Sequence, residues 1–134
     1  MATTKLSVQS TAAASVITDS DSDDTVEANV NTGAGIILVI VIDNTVNTHA
    51  VTTVFWDRTS DPDATGSAWD VEPDNCLYAP ASTKQTYIFP QGLKFATGIT
   101  FATTQGARKS KGSAPAENVE VQLMLAATDL TATP

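Results

Sequence analysis

Alternating carboxylates are the first residues in this chain whose types and spacing suggest chemistry, in the run Asp19-Ser20-Asp21-Ser22-Asp23-Asp24. Calcium prefers several hard oxygen ligands, and Asp19, Asp21 and Asp23 supply them at every second position. An EF-hand loop needs Gly at its sixth position and Glu at its twelfth, but this run has Asp24 and Val30 there. The run therefore predicts an acidic loop that either stays hydrated or holds calcium, and no other cofactor is expected.

The chain has one cysteine, Cys76, and one histidine, His49, so it cannot form an intrachain disulfide. We expect Cys76 to be a small buried apolar residue, and no motif joins it to His49 as nucleophile and base. Asp57, Asp61 and Asp63 fall in an open Ser/Thr-rich stretch, a poor place for the protonated acid of a glycosidase. G-x-S-x-G, H-E-x-x-H, P-loop and C-x-x-C motifs are all absent from the sequence, which indicates a protein that is not an enzyme.

The net charge of −8 argues against nucleic-acid binding, because such binding requires Lys and Arg to replace the counterions of phosphates. The basic cluster Arg108-Lys109-Ser110-Lys111 lies in a Gly/Ser-rich stretch and is expected to be a solvated loop tip. No apolar run reaches transmembrane length, and the first residues lack the apolar core of a signal peptide. We therefore expect synthesis in the cytoplasm, with neither nucleic acid nor a membrane as partner.

Four aromatic residues, Trp56, Trp69, Tyr78 and Tyr87, have the side chains needed for a sugar-stacking platform. Trp56 and Tyr87 lie inside strand patterns, however, where packing in a core or an interface is the expected role. Trp69 follows a long polar segment, and long loops in small domains are usually functional, so we expect it to be either an anchor for a partner protein or a lid over the edge of the core. The predicted partner interface consists of Leu6, Val8, Trp56 and Trp69.

Two apolar runs in the middle of the chain would position these residues. Residues 36–42 are mostly β-branched, which favours a strand, and their continuous apolar character predicts cover on both faces by a second sheet or another subunit. Residues 51–56 alternate in the manner of a half-buried strand. The polar residues 43–49 between the runs predict a β-hairpin or a tight β-arch.

Shorter strand patterns flank this centre, at 15–18, 76–80, 84–89, 93–104 and 119–125. Pro90 is expected to end one strand, and Gly98 to mark a bulge or bend. The spacing of seven to nine strands predicts an all-β, single-domain antiparallel β-sandwich of jelly-roll or immunoglobulin-like order. We assign residues 1–14 to an N-terminal arm or short strand, 15–127 to the sandwich and 128–134 to a polar tail.

Residues 86–102 resemble a P-x-G-L-x-F-x-T-G-L stretch of small structural proteins from tailed bacteriophages. The matching residues here are Pro90, Gly92-Leu93, Phe95 and Thr97-Gly98-Ile99. Asp43-Asn44-Thr45 and Val54-Phe55-Trp56-Asp57-Arg58 are similar to a second block of that family, V-x-N-x-x-x…V-x-L-Y-D-K. The resemblance spans about residues 33 to 104, and the longer loop around Trp69 departs from it.

The resemblance implies a β-sandwich virion component, typically a decoration or cement subunit on the phage head. It implies a homotrimer, the major capsid protein as partner, and no catalytic residues. A neck, tail or fibre-associated position in the virion and a carbohydrate-binding module for host recognition are the alternatives. The low share of charged residues, 16%, agrees with a surface that neighbouring subunits largely cover.

Overall fold

A computed structural model describes residues 13–126, with side chains from residue 15 onward. Its nine strands are β1 (Ala13–Ser22), β2 (Gly35–Asp43), β3 (Val51–Asp57), β4 (Ala64–Thr65), β5 (Ala68–Trp69), β6 (Asn75–Ala79), β7 (Lys84–Phe95), β8 (Ile99–Gln105) and β9 (Val119–Ala126). The described residues contain no helix. The predicted arm and tail lie outside this range, except for Ala13 and Ala14 of β1, and Leu6 and Val8 lie outside it entirely.

The long strands form two antiparallel sheets, in the orders β1-β9-β2-β7 and β6-β3-β8, and β4 and β5 form a separate small hairpin. The inner faces of the two sheets pack together, which confirms the predicted single-domain β-sandwich. Alternating residues of β9 and three isoleucines of β2 (Ile37, Ile40 and Ile42) fill one side of the core. From the other side, Phe55 contacts Phe101 and Phe95, with ring centroids 5.7 and 6.2 Å apart.

The connection between β2 and β3 is a β-arch, so of the two predicted alternatives the hairpin is wrong. A hairpin would pair the two strands, but β2 pairs with β7 and β9 while β3 pairs with β6 and β8 in the opposite sheet. The polar residues 44–50 therefore carry the chain from one sheet to the other. Neighbours along the sequence end up on opposite sides of the core.

Two buried asparagines hold this arch. The Asn44 side chain is 0% exposed, and its Nδ2 donates to the carbonyl oxygens of His49, Pro80 and Ala79 at 3.0, 3.1 and 3.3 Å. Its Oδ1 accepts a 2.9 Å bond from Asn47 Nδ2. Asn47 in turn binds both the N–H and the C=O of Glu117, at 2.8 and 3.1 Å. These amides join the arch to the β6–β7 turn and to the segment that enters β9.

The prediction that Pro90 ends a strand is wrong, because β7 continues from Lys84 to Phe95. A register shift in the pairing with β2, between Ile88 and Leu93, accommodates the proline. Proline is tolerated there because β7 is an edge strand, whose outward N–H groups have no ladder partner to lose. Gly98 lies at the bend into β8, where a Cβ atom would approach the Arg58 carbonyl oxygen to 2.7 Å.

The prediction that residues 19–24 form an acidic loop is wrong in its first half, because Asp19–Ser22 belong to β1. Asp19 points inward, opposite Val121, and a register shift brings Ser22 opposite Val119. The Ser22 hydroxyl then lies 2.8 Å from that of Thr103 in the other sheet. The turn itself begins at Asp23, whose carboxylate accepts the Thr25 N–H at 2.9 Å.

We predict that Asn44→Asp destabilises the fold by about 3 kcal/mol or more, because a carboxylate cannot donate to the three carbonyl oxygens and is itself buried. Urea unfolding at neutral pH measures this loss. Asn31→Asp is the matched control, since Asn31 makes a single amide bond, to Ala34 O at 2.9 Å, in an exposed setting. Equal losses for the two variants would contradict a special role for the Asn44 tie.

Because the carboxyl of Asp19 points inward, we predict that its contribution to the free energy of unfolding falls as pH rises. Burial, the side chain of Asp21 and the charge of Glu27 raise the pKa of Asp19 from 3.8 to about 6. The folded chain therefore holds this proton more tightly than the unfolded chain, so this stabilising contribution is present below about pH 4 and lost by about pH 6.

We therefore expect Asp19→Asn to stabilise the fold by about 1 kcal/mol at pH 7.5, after allowance for solvent screening, and by much less at pH 4. Urea unfolding at the two pH values measures the difference. Ser20→Asn, on an exposed neighbour in the same strand, is the control and should show no such dependence. A gain for Asp19→Asn that is the same at both pH values would contradict the explanation.

Candidate interaction surface

The outer face of the four-stranded sheet carries an apolar row that crosses every strand. Val16 of β1 is opposite Met124 of β9, Met124 is opposite Val39 of β2, and Val39 is opposite Ile88 of β7. Directly opposed residues share one face of a sheet, so the four side chains lie side by side. We call Val16, Met124, Val39 and Ile88 the apolar row.

The ends of the apolar row are open to solvent. Ile88 is 68% exposed and Val16 is 57% exposed, whereas Met124 and Val39 in the middle are half-buried. Isolated exposed apolar residues are common on protein surfaces, but a contiguous row is not. This row is the best candidate for a partner surface in the described part of the chain.

The row gives way to polar and then charged residues toward one end of the sheet. The next row contains Thr18, Gln122, Val41 and Thr86. Beyond it, Asp43 is opposite both Glu120 and Lys84. The Thr45 hydroxyl and backbone N–H lower the pKa of Asp43, with a further contribution from Lys84, so this carboxylate is charged at neutral pH. An apolar strip with a charged rim is the usual anatomy of a protein interface.

The sequence predicts that both faces of β2 are covered. Within the described part of a single chain, only the inward face is covered. Ile37, Ile40 and Ile42 are fully buried in the core, but the outward Val39 and Val41 are only half-buried. Cover of the outward face by another subunit remains a prediction. The row was not predicted from the sequence, because it depends on the register of four separate strands.

The outer face of the three-stranded sheet differs, because the chain's own loops cover it. Trp56, Val54 and Ala102 form a second, smaller core there, with Trp69 and Val26 packed against them. The 106–112 loop is also bound to this face, since Thr52 Oγ1 donates to Gly106 O at 2.6 Å and Gly112 N donates to Thr104 Oγ1 at 3.1 Å. The four-stranded sheet has no comparable cover among the described residues.

Trp56 is placed in this second core, which agrees with core packing, one of its two expected roles, and its role as a partner contact remains a prediction. Its side chain is 1% exposed, and its Nε1 donates to Val71 O at 2.8 Å. Trp69 is half-buried and meets Trp56 edge-to-face, with ring centroids 4.9 Å apart, while Lys111 Nζ lies 5.8 Å from the Trp69 ring centroid. A partner role for Trp69 remains a prediction, and its visible role is to cover Trp56.

The four predicted platform aromatics do not share a surface. Trp56 is buried, Tyr87 packs against the main core, and Tyr78 is 41% exposed on β6. The Tyr87 hydroxyl donates to the Tyr78 carbonyl oxygen, which joins the two sheets at that corner. A flat stacking platform for a sugar is therefore not formed by this set.

The three predicted calcium ligands are not gathered around one point. Asp19 and Asp21 are neighbours, because Asp21 N–H donates to Asp19 Oδ1 at 3.3 Å, whereas Asp23 accepts from Thr25. No group of three or more His, Cys, Asp or Glu side chains in the described range is arranged to hold a metal ion. Calcium binding at Asp19, Asp21 and Asp23 stays an untested prediction.

The remaining carboxylates have structural roles. Asp57 accepts the N–H groups of Thr97, Ala96 and Gly98 at 2.8, 3.0 and 3.2 Å, and so fixes the bend before β8. Burial would raise the pKa of Asp57, but these three donors outweigh it and lower the pKa. Asp61 accepts the N–H of Asp63 at 2.7 Å. The arrangement offers no pair of opposed carboxylates for glycoside hydrolysis.

Cys76 is exposed, so the prediction of a buried cysteine is wrong. It is opposite Val54 on the outer face of the sheet, at the edge strand β6, where burial depends on loops rather than on the core. His49 precedes Val51 at the other end of β3. The two residues are therefore too far apart to act together.

The basic loop is paired within the chain. Lys109 Nζ lies 2.9 Å from a Glu72 carboxylate oxygen, and Lys111 Nζ lies 3.2 Å from an Asp24 oxygen. Because of the hydrogen bond to Lys109 the pKa of Glu72 is lowered, and the same bond raises the pKa of Lys109. The described residues include no helix long and apolar enough to cross a membrane.

No protein-family model matches the chain, and neither does any curated protein sequence. Among solved structures, the chain is similar to the coat protein of Tobacco streak virus, with a TM-score of 0.37 and 15% sequence identity. The match covers 90% of this chain and 89% of that chain. At this TM-score the similarity does not establish a shared fold, so nothing about function follows from it.

The contact of Trp69 with Trp56 predicts that Trp69→Ala destabilises the fold by about 2 kcal/mol, because it removes an edge-to-face pair and uncovers the second core. Thermal or urea unfolding measures the loss. Trp69→Phe keeps a ring against Trp56 and should lose less than half as much. If both variants unfold like the wild type, Trp69 does not cover this core.

Proposed function

We propose that this chain is a structural subunit of a virus particle, specifically a decoration or cement protein that packs on the head shell of a tailed bacteriophage. The exposed apolar row on the four-stranded sheet carries the proposal. The resemblance of residues 33–104 to small virion proteins of tailed phages supports the same class. The chain acts by adding contact area and not by catalysis.

The size of the face limits how strongly one copy can bind. Four strands about 4.8 Å apart and about six residues long give a face of roughly 400 Å². A stable interface covers about 800 Å² on each partner. One face alone is therefore too small for tight binding. Attachment becomes strong when several copies are linked and each contributes a face, because the linked faces bind with a high effective concentration.

This limit agrees with an oligomeric subunit, and the resemblance implies three copies. In this proposal the homotrimer forms a knob, and the apolar rows contact the major capsid protein. The net charge of −8 keeps the subunit soluble before assembly and repels packaged DNA. The number of copies per particle distinguishes this position from a neck, tail or fibre position, since decoration requires many copies and the others few.

The test is attachment of Ile88→Lys to shells that lack this protein, measured by co-sedimentation. Burying most of an isoleucine side chain contributes about 1–2 kcal/mol, and a buried lysine adds a desolvation cost, so we expect at least tenfold weaker attachment. The substitution is on an exposed side chain, so folding should be unaffected.

Val46→Lys is the matched control, because Val46 is 59% exposed but lies in the turn of the arch, away from the apolar row. It should attach like the wild type. Equal weakening by the two variants would reject the apolar row as the attachment surface. A wild-type protein that never attaches to shells would reject the decoration role.

A further inference from the structure

Among the described residues, three of the four edge strands of the two main sheets have features that prevent pairing with a further strand. Residues 23–30 cover the edge of β8, where Glu27 and Phe101 exchange backbone hydrogen bonds of 2.8 and 3.0 Å. The β7 edge contains Pro90, a register shift and two lysines. The β6 edge has only five residues and ends at Pro80. Short strands, proline, lysine and irregular pairing are the usual devices that prevent edge-to-edge association.

The β1 edge has fewer of these devices, and none of them lies within its central stretch from Ser15 to Thr18. Its ten residues, Ala13–Ser22, include no proline, lysine or arginine, and β9 is the one described strand that pairs with it. Its first half, residues 13–18, is uncharged. Its pairing with β9 is irregular near both ends, between Ala13 and Ser15 and between Asp19 and Ser22, and regular from Ser15 to Asp19. This regular central stretch presents free N–H and C=O groups along its outer edge that can accept another strand.

We propose that β1 pairs with β1 of a second copy of this chain, antiparallel, to join two four-stranded sheets into one of eight strands. The distribution of acidic residues selects this direction. In a parallel pair, Asp19 and Asp21 of the two copies would lie side by side, and like charges in that position are destabilising. In an antiparallel pair centred near Val16, the acidic residues of the two strands lie at opposite ends, and Asp19 of each strand is opposite an uncharged residue of the other.

The same pairing brings the two apolar rows together. With the two-fold axis near Val16, the Val16 side chains of the two copies are opposite one another, and Asp19 is opposite Ala13 of the second copy. The row then runs without interruption from Ile88 of one copy to Ile88 of the other. Val16 is 57% exposed in the single chain, and in the pair it is covered in part by Val16 of the second copy. A second copy of the chain provides this self-complementary register, whereas an unrelated strand does not.

The pairing is two-fold, so it predicts even copy numbers. The product is a dimer, or a hexamer when it is combined with the three-fold association proposed above. It uses the edge of the sheet and leaves the outer face free. It therefore extends the proposed function but does not require it, because a purified chain should pair in the absence of any shell.

The test compares Val16→Lys with Ile88→Lys, which change the two ends of one row on opposite edges of the sheet. Sedimentation velocity of the wild type should show a dimer or hexamer. Val16→Lys sets two lysines opposite each other and should weaken the pairing at least tenfold. Ile88→Lys should pair like the wild type. Circular dichroism and thermal melting of each variant establish that it remains folded.

A cross-link provides a second readout. In a Cys76→Ser background, single cysteines at Ser15, Val16, Ile17 and Thr18 should include at least one that oxidises to a covalent dimer, because opposed strand residues lie within disulfide reach. Ile88→Cys should not. A monomeric or trimeric wild type, equal effects of the two lysine variants, or cross-linking at Ile88 alone would overturn the proposal. None of these results bears on attachment to shells, which the Ile88→Lys co-sedimentation decides separately.

Discussion

The buried amide pair Asn44 and Asn47 is the constraint on which the rest of the sandwich depends. The chain between β2 and β3 must leave one sheet and enter the other, and its carbonyl groups lose contact with water as it does so. An unsatisfied buried carbonyl is costly, so side chains that donate hydrogen bonds are required at this point. Asn44 supplies them to two chain segments at once, at His49 in the arch and at Ala79 and Pro80 in the β6–β7 turn. The crossing places β2 and β3, which are neighbours in the sequence, in opposite sheets.

The crossing also produces the asymmetry between the two sheets. Two of the three long connections, at 58–74 and 106–118, start from strands of the three-stranded sheet. They fold over its outer face and bury Trp56 under Trp69. The four-stranded sheet receives no such loop from the described residues. The apolar side chains that β2, β7 and β9 contribute to its outer face therefore remain in contact with solvent.

Much of the fold could be predicted from local patterns, since alternation and β-branching identify β2, β3, β6 and β9. The failures have a common cause, which is that position within a sheet overrides local propensity. Pro90 does not end β7, because an edge strand tolerates proline. Asp19 lies in β1 because the residues beside it pair with β9. This pairing outweighs the cost of burying its carboxyl, which raises its pKa. The arch replaces a hairpin where Asn44 donates to acceptors in the arch itself and in the distant β6–β7 turn. The apolar row depends on register, which no local pattern contains.

The face and the edge of the four-stranded sheet are perpendicular surfaces, and this geometry bears on how they can be used together. A strand added at β1 approaches in the plane of the sheet, whereas a partner on the apolar row approaches along its normal. The two contacts do not exclude one another sterically, and pairing at β1 doubles the length of the apolar row. Because a single face is small, the doubled row strengthens any contact made along the normal. Self-association at the edge would then enlarge the face that contacts a partner, and it would not compete with that contact.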